Sequence, residues 1–511
     1  MTALEGVVGA AGDPASEIAG SRALSDRLSP GYLEHYGLLP LGTESGCLRV
    51  ATWFERPDPQ ALDDLRLLFD LDLELVPARE EQVRPAIRRL YGAGSVTARG
   101  VIENLPDARP IAAGPEAALD DLVHLANEAP VVKLVNLLVL EALELRASDV
   151  HLEGYADALR VRYRVDGVLQ DAPSPPANLG AAVVSRLKIM ADLDIAERRI
   201  PQDGRIRLRL QDRQVDVRVS TLPTLHGESV VLRLLDKERG RVGLGDLGMA
   251  DDTLRGFVDA ISRPHGIVLV TGPTGSGKTT TLYAAVERIR TGREKILTVE
   301  DPIEYELAGV PQVPVNEKVG VSFATALRAL LRQDPDVMLV GEIRDLDTAE
   351  IATHAALTGH LVLSTLHTND AAGSLTRLLD LGVAPYLVSS TVEAVLAQRL
   401  VRTVCPGCGT WGPADESIRR VCEPGAEPIE QVRRGPGCSE CWNTGFRGRT
   451  GLYELLVLDD EMRAAVMRSA PAGEVRRLAA ARGVRTLRQD GVRQVRAGVT
   501  TPEEVFRASG A

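Results

Sequence analysis

The rhythm of apolar and polar residues changes several times along this chain, and each change predicts a different kind of element. Leu48-Arg-Val-Ala-Thr52 has the make-up of a strand, Gln60 to Phe69 repeats its apolar positions at helical spacing, and Leu71-Asp-Leu-Glu-Leu-Val76 alternates as a second strand. These elements predict a small α+β unit within residues 1–91 that carries no catalytic constellation and reads as a docking module. Residues 92–118, with Gly92-Ala-Gly-Ser95 and a Pro/Ala/Gly run ending at Pro115, are weakly patterned, as a flexible linker is. A second unit over 119–238 opens with a helical pattern from Pro130 to Leu143. It continues into Leu159–Val165, Arg205–Leu210 and Gln214–Ser220, which alternate arginine with apolar residues. Such alternation predicts an α+β unit whose sheet has one face buried and one basic face in water.

Between 239 and 400 the pattern turns to short, continuously apolar runs at Ile267–Val270, Ile296–Val299, Val337–Val340 and Leu361–Ser364, separated by helical stretches. Strands buried on both faces and alternating with helices predict an α/β core with a parallel sheet and right-handed crossovers. A cysteine-bearing segment (401–445) and a helical region (446–511) are expected to follow.

With 511 residues the chain exceeds one core at roughly 150 residues per domain. No apolar run approaches the ~20 residues of a membrane helix. The opening Met1-Thr-Ala-Leu-Glu-Gly lacks a basic stretch followed by an apolar core, so a cytoplasmic setting with reduced thiols is expected. A net charge of −12 and only 4% aromatic residues argue against a nucleic-acid motor, since such proteins need a basic grip and stacking platforms.

Candidate chemistry begins after the first buried run. Gly272, Pro273, Thr274, Gly275, Ser276, Gly277, Lys278 and Thr279 fit G-x-x-x-x-G-K-[ST], with a strand before and a helix after, opening Thr279-Thr280. Glycines let backbone N–H groups converge on phosphate oxygens at the positive end of a helix dipole. Lys278 brings charge to the outer phosphates and the Thr279 hydroxyl can ligate Mg²⁺. The expected fold of the core is therefore that of a P-loop (RecA-like) NTPase binding ATP. Any side chain at Gly277 is expected to crowd the cradle.

Three further segments fall at strand ends, where open α/β sheets hold ligands. Glu300, Asp301 and Glu304 crowd one turn that Pro302 bends. Gly341-Glu342 follows a buried strand, a position from which Glu342 would order Mg²⁺ or its water. His360 and His367 bracket another strand and suggest nucleotide sensing. Further on, Cys405-Pro-Gly-Cys408 and Cys438-Ser-Glu-Cys441 form two C-x-x-C pairs, 29 residues apart, which read as a four-thiolate Zn²⁺ site. Cys47 and Cys422 are expected to be bystanders.

The loop at Gly272–Thr279, the box Thr298 to Glu304, Gly341-Glu342 and Thr358-Gly-His360 to His367, in this order, resemble the secretion ATPase superfamily of type II secretion and type IV pilus assembly. The resemblance spans roughly 119–511 and includes Arg198 to Arg205, Val215-Asp-Val-Arg218 and the cysteines. It implies a hexameric ATPase with nucleotide between a PAS-like α+β second unit and the core. Arg205 and Arg218 would reach the phosphates, Glu300 or Glu304 would position or deprotonate the attacking water, and Glu342 would serve Mg²⁺. The cysteine arm favours assembly over retraction, and the short N-terminal unit resembles the type II secretion member, which binds an inner-membrane platform protein. Type IV pilus extension is the nearest alternative.

Overall fold

The computed structural model describes residues 28, 30–92 apart from 45 and 55, 126, 129–236 apart from 211 and 212, 242–415, 418 and 428–510. The expected linker from 93 onward and Cys422 lie outside the described residues.

In the N-terminal unit, β1 (Leu38–Glu44), β2 (Cys47–Thr52) and β3 (Asp72–Pro77) form a three-stranded sheet. The helix Pro59–Phe69 begins at the side chain of Asp58, which accepts the Gln60 and Ala61 N–H groups, and ends at Asp70 in the left-handed region. Cys47 lies at the start of β2, far along the chain from the paired cysteines.

The second unit wraps one six-stranded sheet around the helices Ala129–Glu144 and Ala177–Met190. Its strands are β4 (Ala147–Gly154), β5 (Leu159–Val165), β6 (Val168–Asp171), β7 (Gln202–Leu210), β8 (Arg213–Thr224) and β9 (Gly227–Asp236), in the order β6-β5-β4-β9-β8-β7. Val150, Leu152, Val161, Val217, Val219 and Leu232 point to the helices and are buried. The opposite face carries the polar alternates. Register places Arg205, Arg218, Arg233 and Asp149 in one row across four neighbouring strands.

The core sheet runs β12-β11-β13-β14-β10-β15-β18. Its strands are β10 (Gly266–Thr271), β11 (Ile296–Glu300), β12 (Gln312–Pro314), β13 (Val337–Val340), β14 (Leu361–Leu366), β15 (Val392–Val404) and, after a two-stranded insert of β16 (Thr410–Pro413) and β17 (Gln431–Arg434), β18 (Phe446–Val457). The strands from β10 to β15 pair in parallel, and every residue of β10, β11, β13 and β14 is buried, as their unbroken apolar runs require.

Two expectations about the C-terminal part change. The boundary at 400 falls inside β15, which runs unbroken to Val404 and carries the core sheet directly into the cysteine arm. The region from 446 does not start as helix: β18 returns antiparallel to β15 over Phe446 to Val457 and becomes the edge of the core sheet. Physically, the cysteine arm is the long connection of a β-hairpin, so its two ends are held side by side. Of the helices that follow, Leu487–Arg496 and Pro502–Ser509 pack on that sheet, while Asp460–Met467 and Ala472–Ala481 pack on the helices Pro385–Thr391 and Ala371–Asp380.

Candidate active site

Because β10, β11, β13 and β14 are parallel and in register, their carboxyl ends open on one side, and the segments after them line one cleft of about 620 Å³. That volume is in the range of ligand sites, roughly 300–1,000 Å³. Thr274, Gly275, Ser276, Gly277, Lys278, Thr279, Thr280, Glu300, Glu304, Glu342 and His367, all singled out in the sequence, line it.

The loop after β10 is built on glycine. Gly275 and Gly277 have φ of 79° and 88°, a region costly for other residues, and Gly277 caps the helix Lys278–Ile289. A Cβ on Gly277 would come within 2.8 Å of Gln398 Nε2 on β15, so the crowding expected there arises from the supporting strand behind the loop. A Cβ on Gly272 would meet the Gln398 carbonyl at 2.5 Å. Lys278 Nζ donates to the carbonyls of Gly272 (2.8 Å) and Pro273 (3.1 Å), folding the side chain across the loop. Burial pulls the ammonium below the usual lysine range, and Arg399 adds to this, while Glu342 opposes it. The Ser276 hydroxyl is buried without a partner. A cationic loop with converging N–H groups and an unused hydroxyl suits a polyphosphate.

The two acidic-box glutamates part ways. Glu300 is 3% exposed and its carboxylate accepts from Thr298 Oγ1 (2.6 Å), Gln312 Nε2 (3.0 Å) and the Tyr283 hydroxyl. Glu304 is exposed on the cleft wall beyond the cis peptide between Asp301 and Pro302. Opposite, Glu342 accepts from Arg344 Nη2, and its other oxygen lies 3.5 Å from His367 Nε2. Burial and the nearby Lys278 charge hold His367 below the ordinary histidine value, against the pull of Glu342, which leaves a neutral imidazole at pH 7.

His360 is not brought to this cleft. It sits at the amino end of β14, roughly 20 Å from His367 along the strand, where Nδ1 bonds the Ala355 carbonyl (2.9 Å) at the end of the preceding helix. The sequence places both histidines beside one strand, but β14 points only its carboxyl end at the cleft. Pro273 and Gly272 form the base of the loop outside the lining.

Of the two arginines expected from the second unit, Arg218 reaches the acidic turn beside the cleft. Arg218 Nη2 donates to the Ile303 carbonyl at 3.1 Å, tying β8 to the acidic turn, while Arg205 is exposed one strand further out. Neither lines the cleft itself. Arg233, paired opposite Arg218 and held by Asp149 at 3.0 Å, was not singled out by sequence, although it has the same alternation. Arg344 and Arg449 do line the cleft. Arg449 was unreadable in advance because it reaches the site only through the return of β18.

The four paired cysteines converge in the arm. Their Sγ atoms all lie within 4.8 Å of one another, with 3.9 Å for Cys405 and Cys438, 3.8 Å for Cys408 and Cys441, and 3.7 Å for Cys438 and Cys441. Disulfide sulfurs sit ~2.05 Å apart, whereas four sulfurs ~2.3 Å from a tetrahedral zinc are ~3.8 Å apart. The cluster is therefore compatible with zinc. Backbone N–H groups of Cys438 (3.2 Å) and Gly445 (3.3 Å) point at Cys441 Sγ, as donors do around a thiolate ligand.

Comparison with known proteins agrees with this geometry. The family model described as Type II/IV secretion system protein matches residues 124–507, and that of the MshEN domain matches residues 15–97. The chain is 47% identical over 503 residues to Type II secretion system protein E of Pseudomonas aeruginosa, covering 97% of this chain and 99% of that one. It is 48% identical to the protein of the same description from Xanthomonas campestris pv. campestris (94% and 84% covered). It is 45% identical to Type II secretion system ATPase E of Vibrio cholerae (88% and 90%). Among solved structures, the pilus retraction motor PilT with bound ADP matches 73% of this chain and 96% of its own at 26% identity and a TM-score of 0.50. The Legionella pneumophila ATPase DotB matches in fold, with 21% identity, a TM-score of 0.55 and coverage of 73% and 95%.

Proposed function

This chain belongs to the Type II/IV secretion system protein family and is an ATP-hydrolysing secretion ATPase, and from that premise we propose how its cleft cleaves ATP and what the cleavage drives. The triphosphate occupies the loop from Gly272 to Thr280, with Lys278 leaving the Gly272 and Pro273 carbonyls for the outer phosphates. Thr279 and Glu342 would hold Mg²⁺, which neutralises phosphate charge when bound. Glu304 orients and deprotonates the attacking water. Both glutamates line the cleft; favouring Glu304 is that it is exposed there, whereas three donors already engage the buried Glu300. His367, neutral and beside Glu342, reports the state of the γ-phosphate.

Arg218, with Arg205 beside it, brings positive charge to the phosphates when the second unit closes. The Arg218 to Ile303 bond supports this, since it already links that unit to the acidic turn. Contact that lasts only while a triphosphate is present converts hydrolysis into domain motion. We further propose a homo-hexamer on the cytoplasmic side of the inner membrane, docked on a platform protein through the N-terminal unit, with Zn²⁺ on Cys405, Cys408, Cys438 and Cys441 stapling the arm. Relatives at 45–48% identity, all described as type II secretion components, favour pseudopilus assembly and protein export over pilus extension.

The observation that carries this reading is the meeting of the glycine loop, Glu304, Glu342 and His367 in one cleft. Its test is phosphate release by Lys278→Ala: turnover should vanish, and unchanged turnover would refute the site.

A further inference from the structure

The Tyr283 ring is fully buried inside the core, on the helix that starts at the phosphate loop, one turn beyond Thr279 on the same face. A buried phenol needs a partner, and this one has several. Its hydroxyl donates to Glu300 and accepts from Gln312 Nε2 at 3.3 Å, and the Glu304 backbone N–H meets the same oxygen. Its ring packs edge-on against Tyr305, with centroids 4.6 Å apart. Gln312 closes the other side: Nε2 also reaches Glu300 Oε1 (3.0 Å) and the Tyr305 carbonyl (3.2 Å), and Oε1 accepts the Leu307 N–H (2.7 Å).

Tyr283 and Glu300 are buried and Gln312 is half-buried, and their hydrogen bonds run to one another and to the turn that carries Glu304. Thr279 and Tyr283 ride on one rigid helix. The phosphate loop's helix is thereby coupled to the turn through the Tyr283 hydroxyl and through its ring against Tyr305.

We propose that Tyr283 is a positioning residue for hydrolysis: its hydroxyl, together with Gln312, clamps the Glu300 to Leu307 turn to the phosphate-loop helix and so sets where Glu304 meets the attacking water. This rests on Glu304 acting as the base. Tyr283 borders the cleft, but its hydroxyl is engaged by Glu300 and Gln312, so it acts through the turn. Buried Glu300 serves as the fixed anchor of the clamp.

Tyr283→Phe keeps the ring and deletes only the hydroxyl. Misplacing a reacting group by ~1 Å costs up to ~10²-fold, so kcat should fall by about ten- to a hundredfold. The Kd for ATP, measured by calorimetry with a non-hydrolysable analogue, should stay within about twofold. A Gln312→Leu variant, which loosens the turn from the other side, should show the same split; it stands in should Tyr283→Phe fold poorly. In the Glu304→Gln background, adding Tyr283→Phe should cause no further loss of kcat, because both act on one step. The proposal is overturned if kcat of Tyr283→Phe stays within twofold of wild type, or if Kd weakens in proportion to kcat/KM, which would make the residue a support for the loop. Should Glu304→Gln itself turn over normally, the base assignment fails instead, and Tyr283→Phe read alone in the wild-type background still reports whether the clamp matters.

Discussion

Two glutamates four residues apart on one acidic turn receive opposite environments, and chemistry follows environment. Glu300 ends a strand buried on both faces, so its carboxylate survives only by collecting donors, and three supply them. Glu304, past the turn, is exposed where it lines the cleft. Removing a general base costs ~10²–10⁴ in rate, so Glu304→Gln should lose kcat on that scale while binding ATP normally. Glu300→Gln, whose amide oxygen can still accept the Tyr283 hydroxyl, should lose far less. Steady-state kinetics of the two variants decides this, and equal losses would return the base to doubt. Glu342→Gln should hold ATP without releasing phosphate, which filter-bound nucleotide after a chase would reveal. The loop was legible residue by residue, because only glycine adopts φ near 80° against a supporting strand. The split between Glu300 and Glu304 was not, since a strand buried on both faces gives no parity from which to read direction.

At the scale of elements, β15 and β18 decide the C-terminal architecture. The sequence pattern marks the apolar strands of the core well, because full burial demands unbroken apolar runs. It does not mark β18, whose Phe-Arg-Gly-Arg-Thr-Gly start is polar where the strand leaves the core and pairs only with β15. Pairing across 41 intervening residues, from Cys405 to Gly445, is a tertiary fact. Arg449 and its place in the cleft were hidden for the same reason. Glu504, on the last helix, accepts from the Arg402 N–H (3.0 Å) and Nη2 (2.7 Å) on β15 and from Arg507. Burial alone would raise its pKa; the Arg402 and Arg507 contacts outweigh burial and bring it to about 2, from an ordinary 4.5. A carboxyl depressed in the fold stabilises above its unfolded value and loses that contribution as pH falls through 4.5 towards 2, here roughly 3 kcal/mol at most. Glu504→Gln should therefore destabilise the chain at pH 7, with the gap to wild type closing by pH 2–3, as urea midpoints across pH would show. Closing the arm with zinc should likewise matter: Cys438→Ser, or a strong chelator, should release about one zinc per chain and lower the unfolding temperature of the arm, checked by metal analysis beside thermal scans.

For the whole molecule, Arg218, in the middle of the basic row from Arg205 to Arg233, reaches the same turn that presents Glu304, so the two units share a contact beside the cleft. Arg218→Ala should lower kcat more than it weakens ATP binding, if that arginine is needed mainly when charge builds on the γ-phosphate. The alternating strands of the second unit and the unbroken apolar strands of the core were readable in the sequence, and relative placement of the units was not, because it depends on single contacts such as Arg218 with Ile303 that no periodicity encodes. The account stands on ATP cleavage in this cleft being what drives export. The most direct test places Lys278→Ala in the chromosomal copy and measures, in the same strain, phosphate release by the purified protein and the exoproteins outside the cell. The predicted result is loss of both, with the exoproteins retained behind the outer membrane; export at wild-type levels by a protein that no longer cleaves ATP would contradict it.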